Sequence, residues 1–167
     1  MSAPELFPLV SLSGQVLPDW IDQNEHMNVT RYDVVFDAAE GVFYARFGMD
    51  RNYPATRRRG VFRLEKHIRY EREMRLGAKF EITSHLLWTD LKRMQVFHQL
   101  WNIDENYRAA TMECMAIHMD LDSRKPLRID DAEIRAGFEA TATAHAELAT
   151  PDGVGRWVSR SPVPPKR

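Results

Sequence analysis

The chain has 167 residues, a hydrophobic content of 44% and a formal net charge of −1. This length suits one compact domain, and the balanced charge gives no global reason to expect nucleic acid or an anionic membrane as partner. The single cysteine, Cys114, excludes an internal disulfide and cannot by itself build a zinc site. The first twelve residues lack a secretory signal pattern, and we expect a cytoplasmic protein.

The first long element predicted by the sequence is a helix. After a short strand near residues 12–17, a polar turn leads into a segment whose apolar residues recur at helical spacing. These apolar residues are Tyr32, Val35, Phe36, Ala39, Val42, Phe43 and Phe47. Asn28 or Thr30 can cap the start of this helix, and Gly48 can end it. The large aromatics on one face indicate that the helix lies against a sheet.

The rest of the chain reads as a sheet followed by a second helix. After a loop over residues 49–60, four segments with strand character follow one another as an antiparallel meander, at 61–72, 78–89, 93–103 and 107–121. Asp130 or Asp131 can cap a final helix through Leu148, and the tail that follows it is expected to be mobile. The predicted class is α+β, with one domain over 1–128 and a C-terminal helix and tail over 129–167.

The polar turn before the first helix contains the most informative side chains. Asp22 precedes His26 by four residues, just where the helix begins. The unpaired amides of a helix N-terminus and their partial positive charge can stabilise an oxyanion. Asp22 can then act on the same carbonyl carbon, as a base toward water or as a nucleophile. The alternative is that Asp22, Asn24 and Asn28 only make capping and turn hydrogen bonds.

The residues of this turn also carry a family resemblance. The run Asp22-Gln23-Asn24-Glu25-His26-Met27-Asn28, then Tyr32 and Phe36-Asp37-Ala38-Ala39, resembles the signature of hotdog-fold thioesterases of the 4-hydroxybenzoyl-CoA thioesterase-like branch. The segments His67–Tyr70, Gly77 and Ala109–Glu113 resemble this branch in the same order. The resemblance covers roughly residues 12–125.

The resemblance implies a fold, a reaction and a set of site residues. The fold is an antiparallel sheet wrapped around a long central helix, in a dimer or tetramer with active sites between subunits. The reaction is hydrolysis of an acyl-CoA thioester without a metal or redox cofactor. Asp22 matches the catalytic aspartate, and His26 and Asn28 match a His-x-Asn step that shapes the site. Asn24, Met27 and Tyr32 are the expected substrate-binding neighbours.

One position departs from the family pattern. The residue before the histidine is often glycine in such proteins, and here it is Glu25. Glycine permits a backbone geometry that glutamate adopts less readily. Either the turn has a different shape, or Glu25 brings a second carboxylate to the mouth of the site.

Several other polar residues are open to more than one interpretation. Asp37 and Glu40 could supply a helix-borne catalytic carboxylate, or they could be solvated helix residues. Thr111 and Glu113 share one strand face and could hold the lytic water or belong to an interface. The six histidines show no metal-ligand spacing, and no metal site is predicted. Arginines 57–59 (Arg57, Arg58 and Arg59) could bind the phosphates of CoA or form a solvated charge run.

The acyl group is the least defined part of the prediction. Asp19-Trp20, Val96-Phe97-His98 and the segment 151–156 resemble hotdog thioesterases of carnitine and betaine catabolism, which implies a betainyl-like cationic acyl group. Trp20, Trp88, Trp101 and the tyrosines could form an aromatic cage for such a cation, or they could belong to the core. Short-chain, medium-chain and aromatic acyl groups are alternatives. The rival functions are a non-catalytic acyl-CoA sensor and a 3-hydroxyacyl thioester dehydratase.

Overall fold

The computed structural model describes residues 9–156, which form an antiparallel sheet packed on one long helix. The elements in chain order are β1 (Leu9–Gln15), α1 (Val29–Ala45), α2 (Tyr53–Arg57), β2 (Arg59–Tyr70), β3 (Lys79–Thr89), β4 (Arg93–Asn102), β5 (Tyr107–Asp120), β6 (Lys125–Pro126) and α3 (Ala132–Ala146). The spatial order is β1-β3-β4-β5-β2, and β6 pairs with β5. The predicted α+β hotdog fold is confirmed.

The central helix α1 forms because a capping residue precedes an apolar stripe. The Asn28 Oδ1 atom accepts hydrogen bonds from the Thr30 backbone N–H at 2.9 Å and from the Thr30 hydroxyl at 2.7 Å. The buried stripe consists of Tyr32, Val35, Phe36, Ala39 and Phe43. Burying each large apolar side chain contributes about 1.5–3 kcal/mol to stability, so this stripe fixes α1 on the sheet. Val42, predicted to belong to the stripe, is 42% exposed.

Strands β3, β4 and β5 are joined by two tight hairpin turns. Leu91 in the first turn has a φ of 64° and Asn106 in the second has a φ of 52°, which is the left-handed geometry that such turns require. Along each strand, side chains alternate between the inner face, which meets α1, and the outer face. The inner face carries a fully buried polar residue on β4, His98, among apolar neighbours.

Two segments and one strand pairing differ from the sequence-based prediction. Strand β2 pairs with β5 rather than with β3, so the meander consists of β3, β4 and β5. The first strand begins at Leu9 rather than near Leu12. The expected loop over residues 49–60 instead contains the short helix α2, which has Pro54 in its first turn, and the beginning of β2. Proline suits a helix start because no backbone N–H is needed there. The predicted cap of the last helix is Asp131, whose Oδ1 atom accepts from the amides of Glu133 and Ile134.

After α3, the chain returns across the outer face of the sheet. We call residues Pro151–Arg156 the C-terminal strap. The Gly155 N–H donates to Glu113 Oε2 at 2.6 Å, and Arg108 Nη1 donates to the Asp152 carbonyl at 2.9 Å. The strap is therefore packed on the sheet, and the remaining tail residues, 157–167, for which mobility is also expected, lie outside the described residues. Among residues 9–156, no helix has the length and apolar character that a membrane span needs.

Candidate active site

The segment Asp22–Asn28, which we call the pre-helix turn, is closed by backbone hydrogen bonds. Ile21 and Met27 form an antiparallel bridge. The Asp22 N–H donates to the His26 carbonyl at 3.0 Å, and the Glu25 N–H donates to the Asp22 carbonyl at 3.1 Å. The turn is thus a small closed loop that presents its side chains at the entrance of α1.

Glu25 occupies this turn in the conformation that glycine would favour. Its φ is 63°, which lies in the left-handed region where a side chain is disfavoured by roughly 1–2 kcal/mol. Glu25 thus adopts the left-handed geometry in spite of its side chain. Its side chain is exposed at the rim of the turn.

One carboxylate oxygen of Asp22 accepts a hydrogen bond from the turn, and the other is left available. The Oδ1 atom accepts the Asn24 N–H at 2.8 Å and lies 3.7 Å from His26 Nδ1. The Oδ2 atom has no hydrogen-bond partner in the described part of the chain. The Asp22 side chain is only 10% exposed, whereas that of His26 is 31% exposed. The arrangement leaves a nearly buried, oriented carboxylate oxygen that can receive a proton or attack a carbon.

The first amides of α1 lie next to this carboxylate along the chain. The Asn28 N–H donates to the Trp20 carbonyl at 2.8 Å, and the Thr30 N–H is capped by the Asn28 side chain. The Val29 N–H, between them, makes no hydrogen bond within residues 9–156. Asn28 therefore acts as the helix cap, and Val29 supplies an unpaired donor at the positive end of the helix.

The loop between β2 and β3 supports the turn from the other side. The Met74 carbonyl accepts the Met27 N–H at 2.8 Å, and the Met74 N–H donates to the Tyr32 hydroxyl at 3.2 Å. Burial raises the pKa of Tyr32 to about 12, so this hydroxyl stays protonated and neutral. Met27 is 1% exposed and Tyr32 is 3% exposed. The sequence offered no signal for Met74, because its hydrogen bonds to Met27 and Tyr32 come from its backbone, while its side chain is buried in the core.

Six of the predicted site residues meet at the turn, and four do not. The six are Asp22, Asn24, His26, Met27, Asn28 and Tyr32. Arginines 57–59 lie near the opposite end of α1, a helix of 17 residues and so about 25 Å long. Each is paired with an acidic partner: Arg57 with Asp131, Arg58 with Asp122 and Arg59 with Asp120. Thr111 is buried on the outer face of β5, on the side of the sheet away from α1.

The alternative helix-borne carboxylates also lie away from the turn. Asp37 is exposed, and Glu40 is buried; both are paired with Arg63 of β2. Glu40 comes twelve residues after the cap, which places it about 18 Å along the helix axis. Within one chain, therefore, Asp22 is the carboxylate held at the helix N-terminus.

A three-tryptophan cage is not formed within the chain, which corrects the prediction. Trp88 and Trp101 lie six positions apart in the β3–β4 ladder, where Trp88 pairs with Gln95. That separation is about 20 Å along the strand. Trp20 alone adjoins the pre-helix turn, and it packs on Phe80 with ring centroids 6.2 Å apart.

Comparison with known proteins identifies the family. The model of the Thioesterase-like superfamily matches residues 16–146. A betainyl-CoA thioesterase of Pseudomonas aeruginosa is 33% identical over 155 residues, which is 93% of this chain and 97% of that protein. An L-carnitine dehydrogenase/betainyl-CoA thioesterase of a Rhizobium species is 34% identical over 92% of this chain, which corresponds to 30% of that longer protein.

Solved structures show the same fold. A hypothetical protein of Staphylococcus aureus, solved in complex with CoA, superposes with a TM-score of 0.84 at 21% identity and covers 94% of this chain and 99% of that one. A putative thioesterase of Pseudomonas putida has a TM-score of 0.78 at 25% identity, with the same coverage. The fold and the family match define a hotdog-type thioester hydrolase. The chain belongs to the Thioesterase-like superfamily.

Proposed function

We propose that this chain hydrolyses an acyl-CoA thioester at the pre-helix turn, with Asp22 as the reacting carboxylate. The observation that carries this proposal is the geometry of Asp22, which is 10% exposed, tied through Oδ1 to Asn24 and left with Oδ2 unengaged. Family membership supports the reaction class, and the turn supplies the groups that such a reaction needs.

The chemistry uses the two groups that the turn leaves available. In the general-base form, Asp22 Oδ2 takes a proton from water as the water oxygen attacks the thioester carbonyl carbon. The resulting oxyanion accepts a hydrogen bond from the Val29 N–H, and the partial positive charge of the helix end stabilises it. The C–S bond then breaks, and the CoA thiolate takes up a proton. In the nucleophilic form, Oδ2 attacks the carbonyl carbon, the C–S bond breaks and CoA leaves as its thiolate, which takes up a proton. Water then hydrolyses the mixed anhydride to the free acid and restores the Asp22 carboxylate.

His26 is proposed to orient this carboxylate. Its Nδ1 atom lies 3.7 Å from Asp22 Oδ1 and 3.4 Å from the Met27 carbonyl. A partly exposed imidazole at this position can contact both the carboxylate and an incoming thioester. The reaction needs no metal or redox cofactor under this proposal, because the proton acceptor and the oxyanion donor are both protein groups.

We further propose betainyl-CoA as the acyl-CoA substrate. The support is the 33% identity to a betainyl-CoA thioesterase over nearly the whole of both chains. The aromatic groups that adjoin the turn are Trp20 and the pair Tyr32–Tyr70, whose ring centroids lie 5.2 Å apart, edge to face. Aromatic rings attract a quaternary ammonium group by about 0.5–2 kcal/mol.

A homodimer or larger homo-oligomer is proposed as the active form. Strand β2 has 12 residues and forms one edge of the sheet. It carries exposed apolar side chains at Phe62, Leu64 and Tyr70. Long apolar edges pair readily with another strand, so β2 of a second copy is the proposed partner.

The test measures release of the CoA thiol from matched substrates. Betainyl-CoA is compared with 3,3-dimethylbutyryl-CoA. The two acyl groups have the same shape, but a neutral carbon replaces the cationic nitrogen. We expect kcat/KM to be at least ~10-fold higher for betainyl-CoA, as an aromatic contact to the cation would give. Equal values would reject the cationic acyl group, and tight binding without thiol release from any acyl-CoA would reject the hydrolase.

The matching variant is Asp22→Asn, with Asp19→Asn as its control. We expect Asp22→Asn to lower kcat by at least ~100-fold with the fold intact, because a positioned base or nucleophile is removed. The Asp19 side chain is 70% exposed and lies 3.8 Å from the Arg31 guanidinium, so its amide variant should retain activity. Near-normal turnover in Asp22→Asn would move the reacting carboxylate elsewhere.

A further inference from the structure

Three ligand-type side chains meet in the core between α1 and the sheet, far from the pre-helix turn. We call Glu40 of α1, His98 of β4 and Cys114 of β5 the core trio. Their ligand atoms all lie within 4.8 Å of one another. The Cys114 Sγ atom is 3.8 Å from Glu40 Oε1 and 4.0 Å from His98 Nε2. None of the three takes part in the proposed hydrolysis.

These separations approach those of a tetrahedral metal site. Zinc–sulfur bonds of about 2.3 Å and zinc–nitrogen bonds of about 2.0–2.1 Å place tetrahedral ligand atoms about 3.6 Å apart. The two sulfur distances in the core trio exceed that value by only a few tenths of an ångström. Small rotations of the side chains would bring the sulfur to tetrahedral spacing from both partners, and the third pair of ligand atoms lies within 4.8 Å.

The histidine is already oriented as a ligand. The Nδ1 atom of His98 is 2.7 Å from the Ser84 hydroxyl, which lies 2.6 Å from the Ser11 hydroxyl. These two contacts hold the imidazole ring in place, with its Nε2 atom directed toward Cys114. Metal-bound histidines are commonly oriented in this way through the other ring nitrogen.

A buried hydroxyl lies beside the trio. The Tyr44 side chain is fully buried, and its hydroxyl lies close to Glu40 and Cys114. This oxygen is therefore a candidate fourth donor to an ion in the trio.

The charges of the surroundings balance those of a bound divalent cation. Glu40 uses Oε2 to bind Arg63 and turns Oε1 toward the thiol, and Arg63 also contacts Asp37 at 3.1 Å. A thiolate and a carboxylate would neutralise a divalent ion, while Asp37 balances Arg63. A coordinating thiol loses its proton even when burial has raised its pKa.

From this geometry we propose that Glu40, His98 and Cys114 form a structural site for a zinc-class divalent cation. The cation would fasten α1 to β4 and β5. Thiolate, imidazole and carboxylate together select a borderline ion such as Zn²⁺ over Mg²⁺ or Ca²⁺. No metal-ligand spacing is visible along the sequence, because the three ligands come from separate elements. The proposal is independent of the hydrolysis at Asp22.

Cobalt is the sharpest probe, because the chain has one cysteine. Full-length protein, reduced and freed of metal, is titrated with Co²⁺, both in the native state and after refolding in its presence, since the trio is buried. We expect one Co²⁺ per chain, a thiolate-to-cobalt charge-transfer band and visible bands of a tetrahedral ion. That charge-transfer band can come only from Cys114. Its absence in both samples would overturn the proposal.

Zinc competition and variants assign the ligands. Zn²⁺ should displace the cobalt spectrum and raise Tm in the wild type. We expect Cys114→Ser and His98→Gln each to weaken Co²⁺ binding at least ~100-fold, whereas His118→Gln should bind normally. His118 is also a buried histidine, but it pairs with Tyr53 at 2.9 Å. A zinc-dependent rise in Tm that persists in both ligand variants would assign the metal to other residues and overturn the proposal. If these variants do not fold, the wild-type cobalt spectrum still decides.

Discussion

At the scale of single residues, the backbone of Glu25 is the clearest point of strain in the pre-helix turn. Its φ of 63° places a side chain where glycine is favoured. We expect Glu25→Gly to raise the free energy of unfolding by about 0.5–1 kcal/mol, since relief of the left-handed penalty exceeds the added flexibility of the unfolded chain. We expect Glu25→Val to lower it by about 1–2 kcal/mol, because a β-branched side chain fits this region poorly.

Urea unfolding of these variants distinguishes backbone strain from a general effect of glycine. Gln23 lies in the same turn, is exposed and has no left-handed φ, so Gln23→Gly should destabilise the protein. Equal losses in Gln23→Gly and Glu25→Gly would contradict the strain at Glu25. Turnover of the same Glu25→Gly protein also reports on the exposed carboxylate, whose removal should leave kcat nearly unchanged if Asp22 reacts alone.

At the scale of elements, a histidine pair attaches α3 to the outer face of β3. The Nδ1 atom of His145 accepts the Leu86 N–H at 2.7 Å, and His85 Nε2 lies 3.2 Å from the His145 carbonyl. Burial, then the charge of His85, lowers the pKa of His145 to about 4, and burial lowers the pKa of His85. Both rings are neutral in the folded protein at neutral pH, so protonation should loosen α3.

The sign of the pH dependence follows from these lowered pKa values. Unfolded histidine has a pKa of about 6.5, so between about pH 6.5 and 4 the unfolded chain binds more protons than the folded one. Stability is then lost as the pH falls through this window and is unaffected above it. The shift of His145 corresponds to about 3 kcal/mol at 1.4 kcal/mol per pKa unit.

Urea unfolding of the wild type and His145→Gln between pH 7 and pH 4 measures this loss. We expect the variant to lose about 3 kcal/mol less than the wild type over this range, because glutamine does not titrate and its carbonyl can still accept the Leu86 N–H. His67→Gln, a substitution on the partly exposed strand β2, serves as the control and should follow the wild type. If the free energy of unfolding of His145→Gln fell with pH as steeply as that of the wild type, this histidine pair would not be the cause of the acid sensitivity.

The elements that could be predicted from the sequence are those that depend on residues close together along the chain. The helical spacing and the Asn28 cap predict α1, and the turn residues around Leu91 and Asn106 predict the hairpins. The site was predictable where it is contiguous, over the pre-helix turn. The bond between Glu113 and the strap, and the meeting of Cys114 with Glu40, join residues 42 and 74 positions apart. Such contacts depend on how distant elements pack against one another, and no local residue spacing encodes that packing.

At the scale of the whole molecule, the unpaired edge of β2 determines the expected assembly. Leu64 lies at a bulge in β2 and is 58% exposed. An exposed leucine on a long edge strand favours pairing with another chain, whereas a charge there opposes it. We expect the wild type to sediment as a dimer or larger, and Leu64→Asp to sediment as a folded monomer with at least ~10-fold lower turnover, because burying an unpaired charge in the interface is unfavourable.

Leu76→Asp is the matched control for this assembly. Leu76 is 59% exposed, nearly the same as Leu64, but it lies in the loop between β2 and β3 rather than on the strand edge. Its variant should keep the wild-type sedimentation coefficient, because the new charge remains in water. A monomeric wild type, or an unchanged assembly in Leu64→Asp, would show that β2 does not pair between chains. A monomer with full turnover would show instead that each pre-helix turn works without a neighbouring subunit.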